Sequence, residues 1–230
     1  MSSSTSHDAS PRSPRRQARS EARRAALVEA ALVEFAAHGF EAASTRSIAA
    51  AADTQQPQIN YHFESKEALW KAALDHLFDR LDESMRRHAA ALPAPVTARD
   101  RLAVTVRSFV HAAAELPELN RIMVHESTVP SDRLRWIVDR HTRPRFELVA
   151  TEWRAARATG EVPPIDESVL YYSLVGAASL AYVNAPEAEL LGYNTLDPAF
   201  IVAHADALVL TFLPAPISEP QRPVREGTTT

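Results

Sequence analysis

Five glycines in 230 residues leave few places where the chain can make a tight hairpin, and that scarcity constrains the fold more than any other feature. A sheet protein needs turn residues at short intervals; here alanine- and leucine-rich stretches run between prolines instead. Alanine has the highest intrinsic helix propensity. Within these stretches apolar residues recur at helical spacing. Leu27, Ala31 and Phe35 form an i, i+4, i+8 row with Leu32 beside them, and Leu69, Ala73, Leu77 and Leu81 repeat at i+4. No segment alternates with period two for long enough to argue a strand. The expectation is an all-α protein.

Other composition narrows the classes. Apolar residues make up 46% of the chain, enough to fold around a substantial core at this length. The absence of cysteine removes disulfides, thiolate metal sites and a cysteine nucleophile. The first residues are Ser, Pro and Arg with no apolar core of a signal peptide. The longest nearly apolar run, Val169 to Val183, is too short to span a bilayer comfortably. A cytoplasmic protein without a membrane partner is expected.

Charge is sorted along the chain. Residues 1 to 66 carry eight Lys/Arg against seven Asp/Glu, and the remainder carries 17 against 22, so a segment of +1 precedes a body of −5. Within the first segment, PRSPRRQARSEARR holds six arginines and one acid. Such sorting points to an N-terminal part that meets an anion.

The residues after this arm read as a set of short helices. Gly39 suits the end of the helix from Ser20. Ser44 is an N-cap candidate for a two-turn helix with Ile48 inside. Pro57 is tolerated only in a first turn, so the third helix starts near it, with Asp53 or Thr54 as its cap and Phe63 near its end. Ser65 caps a longer helix. Five more helices are expected at about 97–115, 117–127, 131–158, 166–185 and 198–213.

Three short helices with a tight Asp53-Thr54 turn between the second and third make a helix-turn-helix geometry. At 100° per residue, Ile59 and Phe63 share the buried face of the third helix. Pro57, Gln58 and Tyr61 lie opposite, flanked by Asn60 and His62. Gln and Asn present paired donors and acceptors that match adenine edges in a major groove, while Tyr and His can reach phosphate oxygens. Lys66 stands in the first turn of the next helix, where the macrodipole disfavours a cation unless an anion binds there. Thr45 and Arg46 are similarly placed. The bland reading is a solvated polar face, or one that meets another protein.

Residues 23 to 70 resemble the DNA-binding region of the TetR family of bacterial transcriptional regulators. The resemblance rests on an ordered set: an Ala/Leu-Phe helix, Gly39-Phe40, Ile48-Ala49, Tyr61-His62-Phe63, Ser65-Lys66-Glu67 and Leu69. It implies an all-α homodimer of about nine helices per chain, with a ligand pocket in the body and the last two long helices at the dimer interface. By position, Gln55, Gln56, Gln58 and Asn60 fall where bases are contacted, and Thr45, Arg46, Tyr61, His62 and Lys66 where the DNA backbone is touched. Asp53 replaces the glycine common in the turn and tolerates the left-handed region better than most residues. Asn60 stands where the family usually has tyrosine.

The expected organisation is therefore a disordered basic arm (1–17), a helix-turn-helix domain (18–66), a helical ligand-binding and dimerisation domain (67–213) and a disordered Pro-rich tail (214–230). Residues 169–183 and 200–213 are apolar nearly all round, which calls for cover on more than one side, from within the chain or from a symmetric partner. Phe78, Phe109, His125, Trp136 and Tyr171 are the candidate pocket residues, with Trp153 and Tyr172 as further large side chains. Each is otherwise an ordinary core or surface residue. His125-Glu126 has no second ligand pair at helical spacing, so no metal is expected, and no cofactor is implied. GxGxxG, P-loop, HExxH and GxSxG are all absent. The resemblance implies a dimeric, effector-controlled repressor on a double-stranded operator; the missing motifs argue against an enzyme, and a protein-interaction module is the alternative.

Overall fold

The computed structural model describes residues 14–214. The expected arm and tail lie mostly outside that range, but residues 14–17 are already helical. All regular structure among the described residues is helical: α1 (Pro14–Ala42), α2 (Thr45–Ala51), α3 (Pro57–His62), α4 (Lys66–Ala90), α5 (Ala98–Glu115), α6 (Pro117–Ser127), α7 (Asp132–Ile137), α8 (Arg143–Ala158), α9 (Glu167–Val183), α10 (Ala185–Leu190) and α11 (Pro198–Phe212). A π-helical turn, Val138–Thr142, joins α7 to α8 without a break. The apolar spacing predicts a single helix across α7 and α8, and it does not predict α10.

The chain forms two compact units. Described residues up to Asp82, with Leu116–Leu134, make the first; Glu83–Glu115, with those from Arg135 onward, make the second. The boundary falls inside α4, and α6 packs along α1 in the first unit.

In the first unit the apolar rows read from the sequence are the core. Leu27, Ala31, Leu32 and Phe35 of α1, and Leu69, Ala73, Leu77 and Leu81 of α4, are all buried. Ile48, Ile59, Phe63 and Trp70 are buried with them. Each large apolar side chain so buried contributes about 1.5–3 kcal/mol. Gly39 interrupts α1 with φ +69° and ψ 173°, a conformation side chains exclude. A Cβ there would stand 3.4 Å from the His125 ring of α6, an ordinary van der Waals contact, so it is the positive φ that calls for glycine. The last turn of α1 then continues to Ala42.

The second unit buries Leu102, Val106 and Val110 of α5 with Trp153 of α8, Leu170, Leu174 and Tyr182 of α9, and Leu208 and Val209 of α11. Side-chain carboxylates cap its last long helices: Asp166 accepts from Ser168 N at 2.9 Å and Asp197 from Ala199 N at 2.7 Å. Among the described residues no helix is long and apolar enough to cross a membrane.

Candidate nucleic-acid interface

The α2–α3 corner is built by local bonds. Ser44 caps α2, its Oγ accepting from Ser47 N at 3.3 Å. The chain then reverses at Asp53, whose φ of +48° is the left-handed conformation that Asp tolerates better than most residues. Asp53 N donates to Ala50 O at 3.1 Å and Thr54 N to Ala49 O at 2.9 Å, which closes the turn. Pro57 opens α3, but the cap is Gln56 and makes no side-chain cap bond. This corrects the expected cap at Asp53 or Thr54, because the left-handed turn uses up those residues first. Ser65 caps α4 as read, accepting from Ala68 N at 3.0 Å.

Ile59 and Phe63 hold α3 against the core with 1% and 5% exposure. Gln55, Gln56, Pro57, Asn60 and Tyr61 are exposed, and Gln58 and His62 partly so. A helix of six residues thus presents nearly all its polar atoms on one side. Gln56 Nε2 donates to Thr45 Oγ1 at 3.0 Å, which ties the starts of α2 and α3 together and leaves the Gln56 carbonyl oxygen free of that bond. Arg46 is exposed beside them.

Burial, followed by the charges of Arg23 and Arg24, lowers the His62 pKa below its usual value. The neutral imidazole is favoured in the free protein. Its ring packs edge-on to Tyr61, centroids 4.9 Å apart.

Lys66 is already engaged. Its Nζ donates to Glu41 O at 3.2 Å and stands 4.9 Å from the Phe40 ring centroid. It therefore caps the end of α1 from the start of α4, a contact between residues 25 apart that no local pattern discloses. Phe40 carries a second cation. The Arg133 guanidinium lies 4.0 Å over the same ring, with Nη1 3.1 Å from Glu41 Oε1 and Nε 3.1 Å from Glu126 Oε2. Glu126 is buried, and its partner is this arginine. No spacing rule announces the pair, because Glu126 and Arg133 lie on different helices on either side of Pro130. Removing one member of such a pair costs about 3–5 kcal/mol.

The candidate pocket residues do not share one place. Phe78 is buried core of the first unit, and His125 lies against Gly39 in that same unit. Phe109, Trp136 and Tyr171 belong to the second. There Trp136 and Tyr171 make separate ring contacts. Trp136 meets the buried His141 edge-on at 5.2 Å, Tyr171 meets Phe146 at 5.2 Å, and Arg145 Nη1 donates to His141 O at 2.8 Å. Burial, with Tyr172 adding, raises the Tyr171 pKa. Trp153 is core, its Nε1 donating to Ile165 O at 2.9 Å, and Tyr172 is 74% exposed. A hollow of about 330 Å3 touches Arg154, Arg157 and Val162, and one of about 430 Å3 touches Leu180, Leu191, Tyr193 and Phe200. Neither is lined by a candidate pocket residue. Among the described residues no group of three His, Asp or Glu is placed to hold a metal ion.

The second unit also has an outer face that is uncharged on α9 and carries one ion pair at α11, Asp206 with Arg107 at 2.9 Å. On α9, Val169, Tyr172, Ser173, Gly176 and Leu180 are exposed, and on α11 Val202, Ala203, Ala207 and Leu210.

Residues 27–73 match the family model described as bacterial regulatory proteins, tetR family. None of the curated proteins matches the chain. Solved structures share the fold at low identity. AibR in complex with isovaleryl coenzyme A and operator DNA is 20% identical, with a TM-score of 0.66 over 84% of this chain and 99% of that one. The ketosteroid transcriptional regulator KstR2 of Mycobacterium tuberculosis is 21% identical, with a TM-score of 0.62 over 82% and 93%. The superantigen PfiT is 20% identical, with a TM-score of 0.60 over 84% and 97%. One fold thus carries differently named proteins, and function has to be argued from the site.

Proposed function

We infer, from the match of residues 27–73 to the tetR-family model, that the chain is a ligand-responsive transcriptional regulator, a repressor that binds a near-palindromic operator as a homodimer. The observation that carries this reading is α3 itself, a helix pinned by Ile59 and Phe63 whose amides all lie outside the core. In this reading Gln55, Gln56, Gln58 and Asn60 read base edges. Thr45, Arg46, Tyr61, His62 and Lys66 contact phosphates, with Lys66 doing so from its seat on the end of α1.

The outer face of α9 and α11, uncharged but for the Asp206–Arg107 pair, supports the dimer. Two copies meeting on it would present two recognition helices, which a helix-turn-helix protein needs for its two half-sites about 34–36 Å apart. Effector control acts through the body. AibR, whose structure holds isovaleryl coenzyme A and operator DNA, supports assigning both a small molecule and DNA to this fold. The part of the second unit that holds Trp136 and Tyr171 is the effector region we favour. A ligand that prefers a conformation whose helix spacing no longer fits DNA would release the operator, through a coupling of about 1–3 kcal/mol.

The experiment is fluorescence anisotropy of the full chain on labelled duplexes over a salt series, including DNA flanking its own gene. The expected result is tight, steeply salt-dependent binding. Absence of duplex binding at low salt, with capture of a protein partner through α3 instead, would make the chain an interaction module and end this reading.

A further inference from the structure

The first three turns of α1 differ from the rest of the helix. Among the described side chains from Arg15 to Ala26 none is buried; Leu27 is the first. A helical stretch without an apolar face has no packing to hold it. Its exposed face is also charged in a regular way. Arg15, Arg19 and Arg23 recur at i, i+4 and i+8 and so share one side of the helix. They occupy about 12 Å of its length, since each step of four residues rises about 6 Å.

Nothing among the described residues neutralises this row. Glu21, the one acid on the segment, lies off it and accepts from Gln17 Nε2 at 3.1 Å. The first turn of α1 holds no acid. Like charges four residues apart destabilise an isolated helix, and cations near a helix N-terminus oppose the macrodipole. Both penalties fall away when an anion lies along the row. Over about 12 Å one DNA strand presents several phosphates, one per 3.4 Å of axis. The row also ends beside the recognition helix. The charges of Arg23 and Arg24 reach His62 of α3, and the Arg24 guanidinium lies 5.0 Å from the Phe63 ring centroid.

We propose that Arg15, Arg19 and Arg23 form a phosphate rail that grips the duplex backbone beside the half-site read by α3, adding affinity and footprint but no base specificity. The proposal rests on the DNA-binding reading above and adds residues outside the contact set named there. An acidic protein surface is the other anion such a row could meet. DNA is favoured because the row adjoins α3 and repeats at a regular interval.

The test compares the full-length chain with Arg15→Gln/Arg19→Gln/Arg23→Gln on one selected duplex. Glutamine keeps the helix propensity of arginine, and circular dichroism checks that the fold is kept. The slope of log affinity against log salt should flatten by about 0.9 for each phosphate that the row no longer neutralises, up to about 2.7. The wild type would then lose about 40-fold more affinity than the variant between 50 and 200 mM salt. The relative preference among duplex sequences should not change, hydroxyl-radical protection should shrink at the outer edges of the footprint, and the triple lysine variant should keep the slope. An unchanged slope in a folded variant overturns the rail. So does a changed base preference, which would make the row a reader of bases. An unchanged slope with an altered molar mass assigns the row to protein contacts. If the wild type itself binds no duplex, the rail falls together with the DNA reading, and that outcome is recognised before any variant is made.

Discussion

Two exposed helix surfaces of this chain have opposite chemistry. On α3 the outer side is Gln, Asn and Tyr, with arginines of α1 close to His62. On α9 it is Val169, Tyr172, Gly176 and Leu180, with no charge at all. Both helices bury the opposite side in an ordinary core. The difference shows what kind of partner each can accept. Amides lose little when their water is exchanged for base edges, whereas an uncharged face that stays wet forgoes the gain of burial. One surface suits a polar polyanion and the other a copy of itself.

The largest effect should come from charging the second surface. Tyr172→Glu with Leu180→Glu places two carboxylates per chain in the proposed interface, and symmetry doubles them. Burying unpaired charge costs several kcal/mol, so the dimer dissociation constant should rise at least ~100-fold. Light scattering would show monomers, and operator affinity would fall with it. A dimer of unchanged stability would separate α9 from dimerisation.

Gln58→Ala comes next. Removing a bidentate base interaction should cost about 1–3 kcal/mol per half-site at the cognate base and relax preference there. Competition among single-base operator variants measures it; an equal weakening on every duplex would make Gln58 a backbone-binding residue.

The two surfaces also differ in how far spacing alone discloses them. The faces of α3 are legible in the sequence because Pro57 fixes its start and Ile59 and Phe63 stand four apart, so geometry follows from spacing. The helices at 97–115, 117–127 and 198–213 are legible for the same reason, their ends marked by Pro or Asp. The cap at Gln56 is not, since no side-chain bond announces it. Lys66 on the Glu41 carbonyl and Arg133 on Glu126 are not legible either, because tertiary packing chooses such partners. The π-turn has no residue signature, and α10 is a helix of only six residues. For the pocket, aromatic residues can be named from the sequence, but no rule says which of them meet. Phe78 and His125 lie in a different unit from Phe109, Trp136 and Tyr171.

A smaller effect concerns pH at the polar surface. His62 has a lowered pKa in the free protein, and a phosphate beside it would raise that value. Binding then takes up a proton, so affinity should increase as pH falls from about 7.5 toward about 6. His62→Gln should remove this dependence, which anisotropy at fixed ionic strength measures. A pH profile identical in the two proteins would remove His62 from the phosphate-binding set.

The smallest effect lies in the body. Burial pushes the Glu115 carboxyl up, but hydrogen bonds from Ser84 and His88, with the charge of Arg87, outweigh it and hold the group below its usual value. The stabilisation it gives is present above the unfolded-state pKa and is lost as pH falls through the folded one. Glu115→Gln should cost about 1 kcal/mol at neutral pH, after allowance for solvent screening. Urea melts should show that difference fading on acidification, while the salt slope on DNA stays at the wild-type value. A changed slope would mean that the body ion pair and the DNA surface are coupled.

Whether this chain reads operator DNA as a dimer is decided by selecting bound duplexes from a random pool with the full-length protein and measuring the stoichiometry of the winning complex. The expected outcome is an enriched near-palindrome with half-site centres about one helical turn apart, or slightly more, bound by two chains. A pool that stays random through repeated rounds at low salt, or a single chain on an asymmetric site, would contradict it.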